Sequence, residues 1–256
     1  MKTLFSFTKK EWLEQIRSGR LLLLTILFVL FGIMNPAIAK LTPWLYEAMA
    51  DELAQSGMSI TVGTVSAMDS WIQFFKNIPM ALLIFLLLES SVFTKEYQSG
   101  TLILALTKGL GRYKVVIAKA SVLVILWTIF YWLCFLITFG YNAYFWDNAV
   151  AGNLIFSILI PYLFGLWTIS LIVLFSTLSQ TGTGVLALTG AVVLAAYLIG
   201  MFPKIKDYMP TLLLDGNSLI YGLKDSAAYT SAIFAALFST ILCMVAAIPI
   251  FNKKQM

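Results

Sequence analysis

The residues that perform chemistry in most enzymes are sparse in this sequence. It has no histidine, which excludes a Ser-His-Asp triad and the H-E-x-x-H motif of zinc proteases. Cys134 and Cys243 lie inside strongly apolar segments, where small buried side chains are expected rather than a disulfide framework. A G-x-x-x-x-G-K-[ST] phosphate loop does not occur, and Gly109-x-Gly111 is too short to replace it. The chain is therefore not expected to be an enzyme, and no metal or other cofactor is expected in it.

Glu89 is the acidic residue closest to an apolar segment. An ionisable group at membrane depth is a candidate functional residue. At the end of a span and near Lys95, however, Glu89 is interpreted as a partly paired charge. Few other ionisable groups lie within the apolar segments, so a proton-coupled secondary transporter is not favoured.

Composition assigns the chain to the membrane. Of its 256 residues, 60% are hydrophobic and 11% are charged, whereas soluble domains are about half apolar and about a quarter charged. The formal net charge is +5. Because the basic residues lie beside apolar segments, anionic lipid headgroups are the expected partners, and nucleic acid is not.

Six apolar segments are long enough to cross the hydrocarbon core, which is about 30 Å thick. They cover residues 21–39, 76–94, 115–139, 153–175, 185–202 and 231–251, approximately. The predicted fold class is therefore an all-α integral membrane protein with six transmembrane helices in a single domain. The sequence Ala37-Ile38-Ala39 imitates a signal-peptidase site, but the long amphipathic stretch before it favours a retained span.

Three further segments complete the predicted architecture. Residues 1–20 are amphipathic and are predicted to form an interfacial helix in the headgroup plane. Residues 40–75 are predicted to form a loop with an amphipathic turn or two at 44–53. Residues 203–230 contain prolines and glycines around short apolar runs, which predicts a broken or re-entrant extracellular segment.

The distribution of basic residues predicts the orientation. The N-terminus, the loop between spans two and three, and the C-terminus together hold twelve of the seventeen Lys and Arg residues. Under the positive-inside rule both termini and the region 95–114 are therefore cytoplasmic. In that region Leu102, Ile103, Leu106 and Leu110 have helical spacing, which predicts a short helix at the membrane surface.

Small residues recur every four positions in and just before the fifth span, a pattern that permits close approach of another helix. They are Thr183, Ala187, Ala191 and Ala195. These residues are candidates for dimer packing or for lining a pathway; the alternative is simple filler on a lipid-facing helix.

One stretch resembles a known family. The run from Glu96 to Leu102, EYQSGTL, is followed by Leu106, Arg112 and Lys119. This order is similar to the pattern between spans two and three of ABC-2 type transporter permeases. The opening helix and the six-span topology are also similar to that family. One departure is that the family often has a proline where this chain has Lys108-Gly109-Leu110-Gly111, which predicts a looser turn.

The resemblance implies that the region 95–114 holds a coupling helix that rests in a groove of a separate ATPase. Leu102 and Leu106 would fill that groove as an i, i+4 apolar pair. Gly100 would permit a sharp entry, and Thr101 would cap the helix. Glu96 and Arg112 would set its orientation by charge. The alternative is a helix lying flat on lipid, with the two leucines inserted.

The functional expectation is the permease subunit of a bacterial ABC exporter in the cell membrane. The resemblance implies a second permease copy, a cytoplasmic ATPase that binds ATP and Mg, and a path lined by spans two and five. A small peptide, an antimicrobial or drug, or a lipid-like cargo is expected. The rival interpretations are a self-sufficient secondary transporter or channel, and a non-transporting immunity or sensory subunit.

Overall fold

The computed structural model describes residues 2–49, 64–107 and 109–254. Within these ranges the chain is helical or in turns. The α-helices are α1 (Lys2–Arg17), α2 (Arg20–Ala48), α3 (Ala67–Glu89), α4 (Thr94–Gln98), α5 (Thr101–Thr107), α6 (Arg112–Phe145), α7 (Leu154–Leu178), α8 (Gly182–Gly200), α9 (Gly216–Ile220) and α10 (Thr230–Lys253).

Six of these helices are long and apolar enough to cross a membrane: α2, α3, α6, α7, α8 and α10. This confirms the all-α fold class and the number of spans. The short helix α1 precedes them, and α4 and α5 lie between the second and third.

The first long helix continues beyond the predicted end of its span. It includes both Pro36 and Pro43 and ends at Ala48, not near residue 39. A proline is tolerated in such a helix because neighbouring groups can satisfy the backbone acceptor it frees. Part of the predicted loop 40–75 is therefore helical, and α3 begins at Ala67 after a Ser66–Asp69 capping box. Residues 50–63, including part of the predicted amphipathic turns at 44–53, lie outside the described residues.

The segment 203–230 is a series of short elements. Two 3-10 turns, Lys206–Tyr208 and Pro210–Leu214, precede α9, and a third, Ser226–Tyr229, follows it. Asp215 organises the segment: its carboxylate accepts hydrogen bonds from Ser218 and lies 2.8 Å from the ammonium group of Lys224.

The core of the bundle surrounds α7, which packs most extensively against α10 and also contacts α8 and α6. An aromatic cluster fills the space between the long helices, with Trp127 and Tyr131 both fully buried. Gly165 of α7 allows this packing, since a Cβ atom there would lie 2.2 Å from the indole ring of Trp127.

A chain of polar side chains joins α2, α3 and α6. Asn77 donates to Asn35 at 2.7 Å, and Asn35 donates to Thr138 at 3.0 Å. Asn35 and Thr138 are fully buried. These bonds fix the mutual register of the first three long helices, because each buried polar group would lose its partner if a helix slid.

Candidate functional site

The predicted short helix exists as α5 and follows a sharp turn. Gly100 has φ +69° and Gly109 has φ +87°, backbone conformations that glycine adopts without the steric cost of a Cβ. The two glycines therefore let the chain turn at either end of α5 (Thr101–Thr107). Lys108, part of the departure from the family pattern, lies outside the described residues.

The leucine pair of α5 faces its own chain. Leu102 is 1% exposed, and Leu106 is half-buried against the same core. The sequence interpretations placed this pair in the groove of another protein or in lipid, whereas the structure packs both leucines against the core of their own chain. Among the α5 side chains that the structure describes, Ile103 is apolar and points outward with 44% exposure; Thr101 is also exposed.

Glu96 is also buried, at 4% exposure. Its carboxylate lies 2.9 Å from the ammonium group of Lys119 on α6 and forms a salt bridge with Lys10 on α1. Glu96 thus joins α4 to two other helices of its own chain, whereas the sequence interpretation had it orienting a partner protein.

Lys119 is the centre of this cluster and is 1% exposed. Its ammonium group donates to Glu11 at 2.7 Å and to the carbonyl oxygen of Val92 at 3.0 Å, in addition to its ion pair with Glu96. Two oxygens thus accept hydrogen bonds from this ammonium group, and a third oxygen, from Glu96, lies within ion-pair distance. We call Lys10, Glu11, Glu96 and Lys119 the ionic cluster.

The carboxylates around the ionic cluster differ in environment. Burial raises the pKa of Glu11, and the charge of Lys119 opposes that rise. For Glu14, burial also raises the pKa, but the hydrogen bond from Lys10 and the charges of Lys10, Lys119 and Arg20 together outweigh burial and leave the pKa lowered. Oxygens of Glu11, Glu14 and Glu96 lie close enough together to hold a cation, and Lys10 contacts all three carboxylates. The cation that these side chains hold is an ammonium group.

A second polar contact lies one turn further along α1. Gln15 is buried and donates to Glu89 at 2.6 Å, while Arg20 lies 3.9 Å from the same carboxylate. Glu89 is 1% exposed. The partners of Glu89 are therefore Gln15 and Arg20 rather than Lys95, and Glu89 is an internal contact rather than a charge reaching toward water.

The buried polar residues Glu11 and Gln15 face the bundle, where Phe7 and Trp12 also pack against the core, and three other apolar residues of α1 point outward. Phe5, Leu13 and Ile16 are 75%, 40% and 57% exposed. At 100° per residue these three side chains fall within one sector of the helix, and Glu11 and Gln15 lie in a different sector. An interfacial helix has an apolar sector of this kind for the acyl boundary.

Arg112 lies at the C-terminal end of α10. Its guanidinium group donates to the carbonyl oxygens of Phe251, Asn252 and Lys254 at 3.2, 3.0 and 2.7 Å. A cation at a helix C-terminus satisfies carbonyl groups left without helical partners. Arg112 thus binds the chain terminus, whereas the sequence interpretation gave it the orientation of an ATPase.

Lys254 adds a similar contact at the end of α7. Its ammonium group donates to the carbonyl oxygen of Ser179 at 2.7 Å and lies 4.1 Å from the ring centre of Tyr97. Burial lowers the pKa of Lys254 to about 8. One end of the bundle therefore brings together α1, α4, α5 and the C-terminal residues. We call it the charged end.

The small residues of the fifth span form an exposed stripe on α8. All four are exposed in the single chain: Thr183, Ala187, Ala191 and Ala195. They do not belong to the packing of the described part of this chain, so the stripe is free to contact a second helix or lipid.

A groove with a volume of about 400 Å³ lies between α3, α7 and α8. Its wall is almost entirely apolar, with hydroxyl groups from Thr168, Thr189 and Tyr197. The other residues that line it are Pro79, Leu82, Leu83, Leu86, Leu87, Phe164, Leu186, Gly190, Val193 and Leu214. Spans two and five, predicted to line a path, are both walls of this groove.

Sequence reasoning missed Lys119, Glu11 and Lys10 as members of the site. A signal for Lys119 was present, because a lysine in the first turns of an apolar span requires a partner when it is buried. The spacing of Glu11 and Gln15, four residues apart, places them on one face of α1. The fold was needed to show that this face turns inward.

A family model described as ABC-2 family transporter protein matches residues 6–237 of the chain. No curated protein and no solved structure matches it. The matched region includes most of α1, the ionic cluster, the groove and five of the six long helices. Membership of that family implies a multi-pass membrane component that works with an ATPase. The chain belongs to the ABC-2 family of transporter proteins, as a permease component.

Proposed function

We propose that the chain is the permease subunit of a bacterial ATP-driven exporter. Two copies would form the path through the cell membrane, each bound to a cytoplasmic ATPase subunit that holds ATP and Mg. The charged end would face the cytoplasm, because most of the basic residues lie in the segments that meet there.

The observation that carries this proposal is the position of Ile103. It is exposed on a short helix whose neighbouring residue Leu102, about 100° away around the helix axis, is buried against the bundle. An apolar side chain on a rigid support suits insertion into a groove of another protein. The helix α4, which immediately precedes α5, is attached to α1 and α6 by the ion pairs of Glu96. A force applied to Ile103 would therefore be transmitted to the helices of the bundle.

The chain connectivity favours a coupling role. The α4–α5 segment continues α3 on one side and leads into α6 on the other. A partner that pushed on this segment would act on spans two and three together. Tilting two packed helices as a unit is a known form of conformational change, and α3 is also a wall of the groove.

The groove and the small-residue stripe support the transport part of the proposal. The exposed stripe on α8 would pack against the second permease copy. The groove beside it would become part of a path between the copies. Its apolar lining, with few hydroxyl groups, suits a hydrophobic or amphipathic cargo such as a peptide, a drug or a lipid.

The test is co-purification of the chain with the ATPase encoded beside it. We expect a stable complex from the wild type and at least a tenfold loss of co-eluting ATPase in Ile103→Asp, because the substitution places a charge in an apolar contact. Leu102 is unsuitable for this test, since a charge at a buried position would unfold the support.

Leu178→Asp is the matched control, because Leu178 is 54% exposed on α7 near the same end of the bundle. It should retain the ATPase. Equal retention by Ile103→Asp would contradict the proposal. Cargo movement in liposomes containing the permease alone would instead support a self-sufficient transporter.

A further inference from the structure

The ionic cluster has a geometry that a simple membrane anchor would not require. If α1 only held the protein at the lipid surface, its apolar sector would be sufficient. Instead, its inward face contributes two buried polar residues, Glu11 and Gln15, each bonded to a different element of the bundle. The contact between α1 and the bundle is thus specific at this face.

Lys119 connects three separate parts of the chain through one ammonium group. Its partners belong to α1 through Glu11, to α4 through Glu96, and to the turn after α3 through Val92. Because the group is fully buried, losing any one of these partners weakens the compensation of a charge that water does not reach. The three parts must therefore stay together or separate together.

Lys10 reinforces the same connection from the water side. It is half-exposed and bridges Glu11 and Glu14 of its own helix to Glu96 of α4. The link between α1 and α4 is therefore doubled, with one cation buried and one near the surface. Sliding α1 along α4 would break both sets of ion pairs at once.

We propose that α1 and the α4–α5 segment move as one body, and that Glu11 and Lys119 are the positioning residues that join them. The functional meaning of this inference rests on the coupling role proposed for α5. Under it, displacement of α5 by an ATPase carries α1 along the membrane surface. The N-terminal helix is then a moving part of the coupling mechanism rather than a fixed anchor.

The first test measures the α1–α4 distance in the permease alone. Spin labels are placed at two exposed positions, through Ser6→Cys on α1 and Lys95→Cys on α4, with the buried native cysteines replaced by alanine. We expect one narrow distance distribution in lipid nanodiscs. Glu11→Gln should broaden it at least twofold, because the substitution removes a charged acceptor from Lys119.

Glu14→Gln is the matched control, since it removes the same charge from the same helix but lies outside the contacts of Lys119. It should leave the distribution narrow. An unchanged width in Glu11→Gln, or equal broadening in both variants, would overturn the inference. Lys119→Met should broaden the distribution further; if it fails to fold, Glu11→Gln decides the test.

The second test separates positioning from simple stabilisation. In the complex with the ATPase, labels at Ser6 and at Tyr144 on the far end of α6 report movement of α1, and labels at Lys95 and Tyr144 report movement of α4. A non-hydrolysable ATP analogue should shift both distances in the wild type. In Glu11→Gln the α4 distance should still shift, while the shift of α1 is lost.

Persistence of the α1 shift in Glu11→Gln would refute joint movement. The two proposals can also fail separately. If the ATPase does not bind, the coupling role fails, but the distance measurement on the isolated permease still reports whether the ionic cluster joins α1 to α4.

Discussion

Two consecutive helices of equally apolar sequence have opposite environments. In α7, 67% of the most apolar window is buried within the chain, and in α8 the share is 17%. Only the three residues 179–181 separate them. Apolar composition therefore shows that both helices prefer lipid or protein to water, but not which of the two surrounds them.

The difference lies in the specific contacts of each helix. The fully buried Tyr131 of α6 donates to the carbonyl oxygen of Ile158 on α7 at 2.5 Å, and Trp127 donates to that of Tyr162 at 3.2 Å. By contrast, Thr189 of α8 donates to Val185 within the same helix. The bonds from Tyr131 and Trp127 hold α7 within the chain, whereas α8 leaves a surface that, under the proposed function, would pack against a second copy.

Gly165→Ala should have the largest effect, because it tests the tight packing of α7. The added methyl group would lie 2.2–2.4 Å from atoms of the Trp127 ring. Overpacking of this kind costs about 3 kcal/mol, measured as the free energy of unfolding in mixed detergent micelles. Gly190→Ala on α8 is the control, since a Cβ there meets nothing within 4 Å. Similar losses of unfolding free energy in both variants would contradict the difference in packing between α7 and α8.

Ala191→Phe should have an intermediate effect, seen in association rather than folding. The large side chain would prevent close approach at the small-residue stripe and weaken dimerisation about tenfold, or about 1.4 kcal/mol. Energy transfer between labelled copies in liposomes measures this directly. Val245→Phe provides the comparison, as Val245 is 63% exposed on α10; an unchanged dimer in Ala191→Phe would argue that α8 faces lipid.

Tyr131→Phe should have the smallest effect. It removes one interhelical hydrogen bond but keeps the ring, which in a membrane protein lowers the free energy of unfolding by about 0.6–1 kcal/mol. Thermal denaturation in detergent can resolve this change. Tyr197→Phe on α8 should be neutral to folding, because Tyr197 is 47% exposed in the groove wall. A larger loss from Tyr197→Phe would mean that α8 is held more specifically than its burial indicates.

Sequence reasoning predicted the number of spans well because each span must be apolar along its whole length. It was weaker at the end of α2, which was predicted near residue 39 although the helix continues through Pro36 and Pro43 to Ala48. The polar side chain of Asn35 is accommodated inside this helix bundle because it forms hydrogen bonds with Asn77 and Thr138. These partners are distant in sequence and become neighbours only in the fold.

In the candidate site, too, the sequence did not show which residues become neighbours in the fold. Helical spacing correctly placed Leu102 and Leu106 on one face of a helix, but spacing does not tell whether that face is turned inward. Glu96 was interpreted as a surface charge because its partners, Lys10 and Lys119, lie 86 positions before and 23 after it. What could not be predicted was the docking of α1, which brings those charges together.

The length of α6 has a consequence for how the protein meets its surroundings. With 34 residues it is about 51 Å long, and fitting it within a core about 30 Å thick would need a tilt of about 54°, beyond the usual limit of about 40°. Turns at one or both ends must therefore lie outside the hydrocarbon core, and at the C-terminal tip Tyr144 is 82% exposed on the surface of the single chain. If the charged end is cytoplasmic, intact cells would display this tip externally, and a cysteine-reactive dye unable to cross the bilayer would stain a Tyr144→Cys variant.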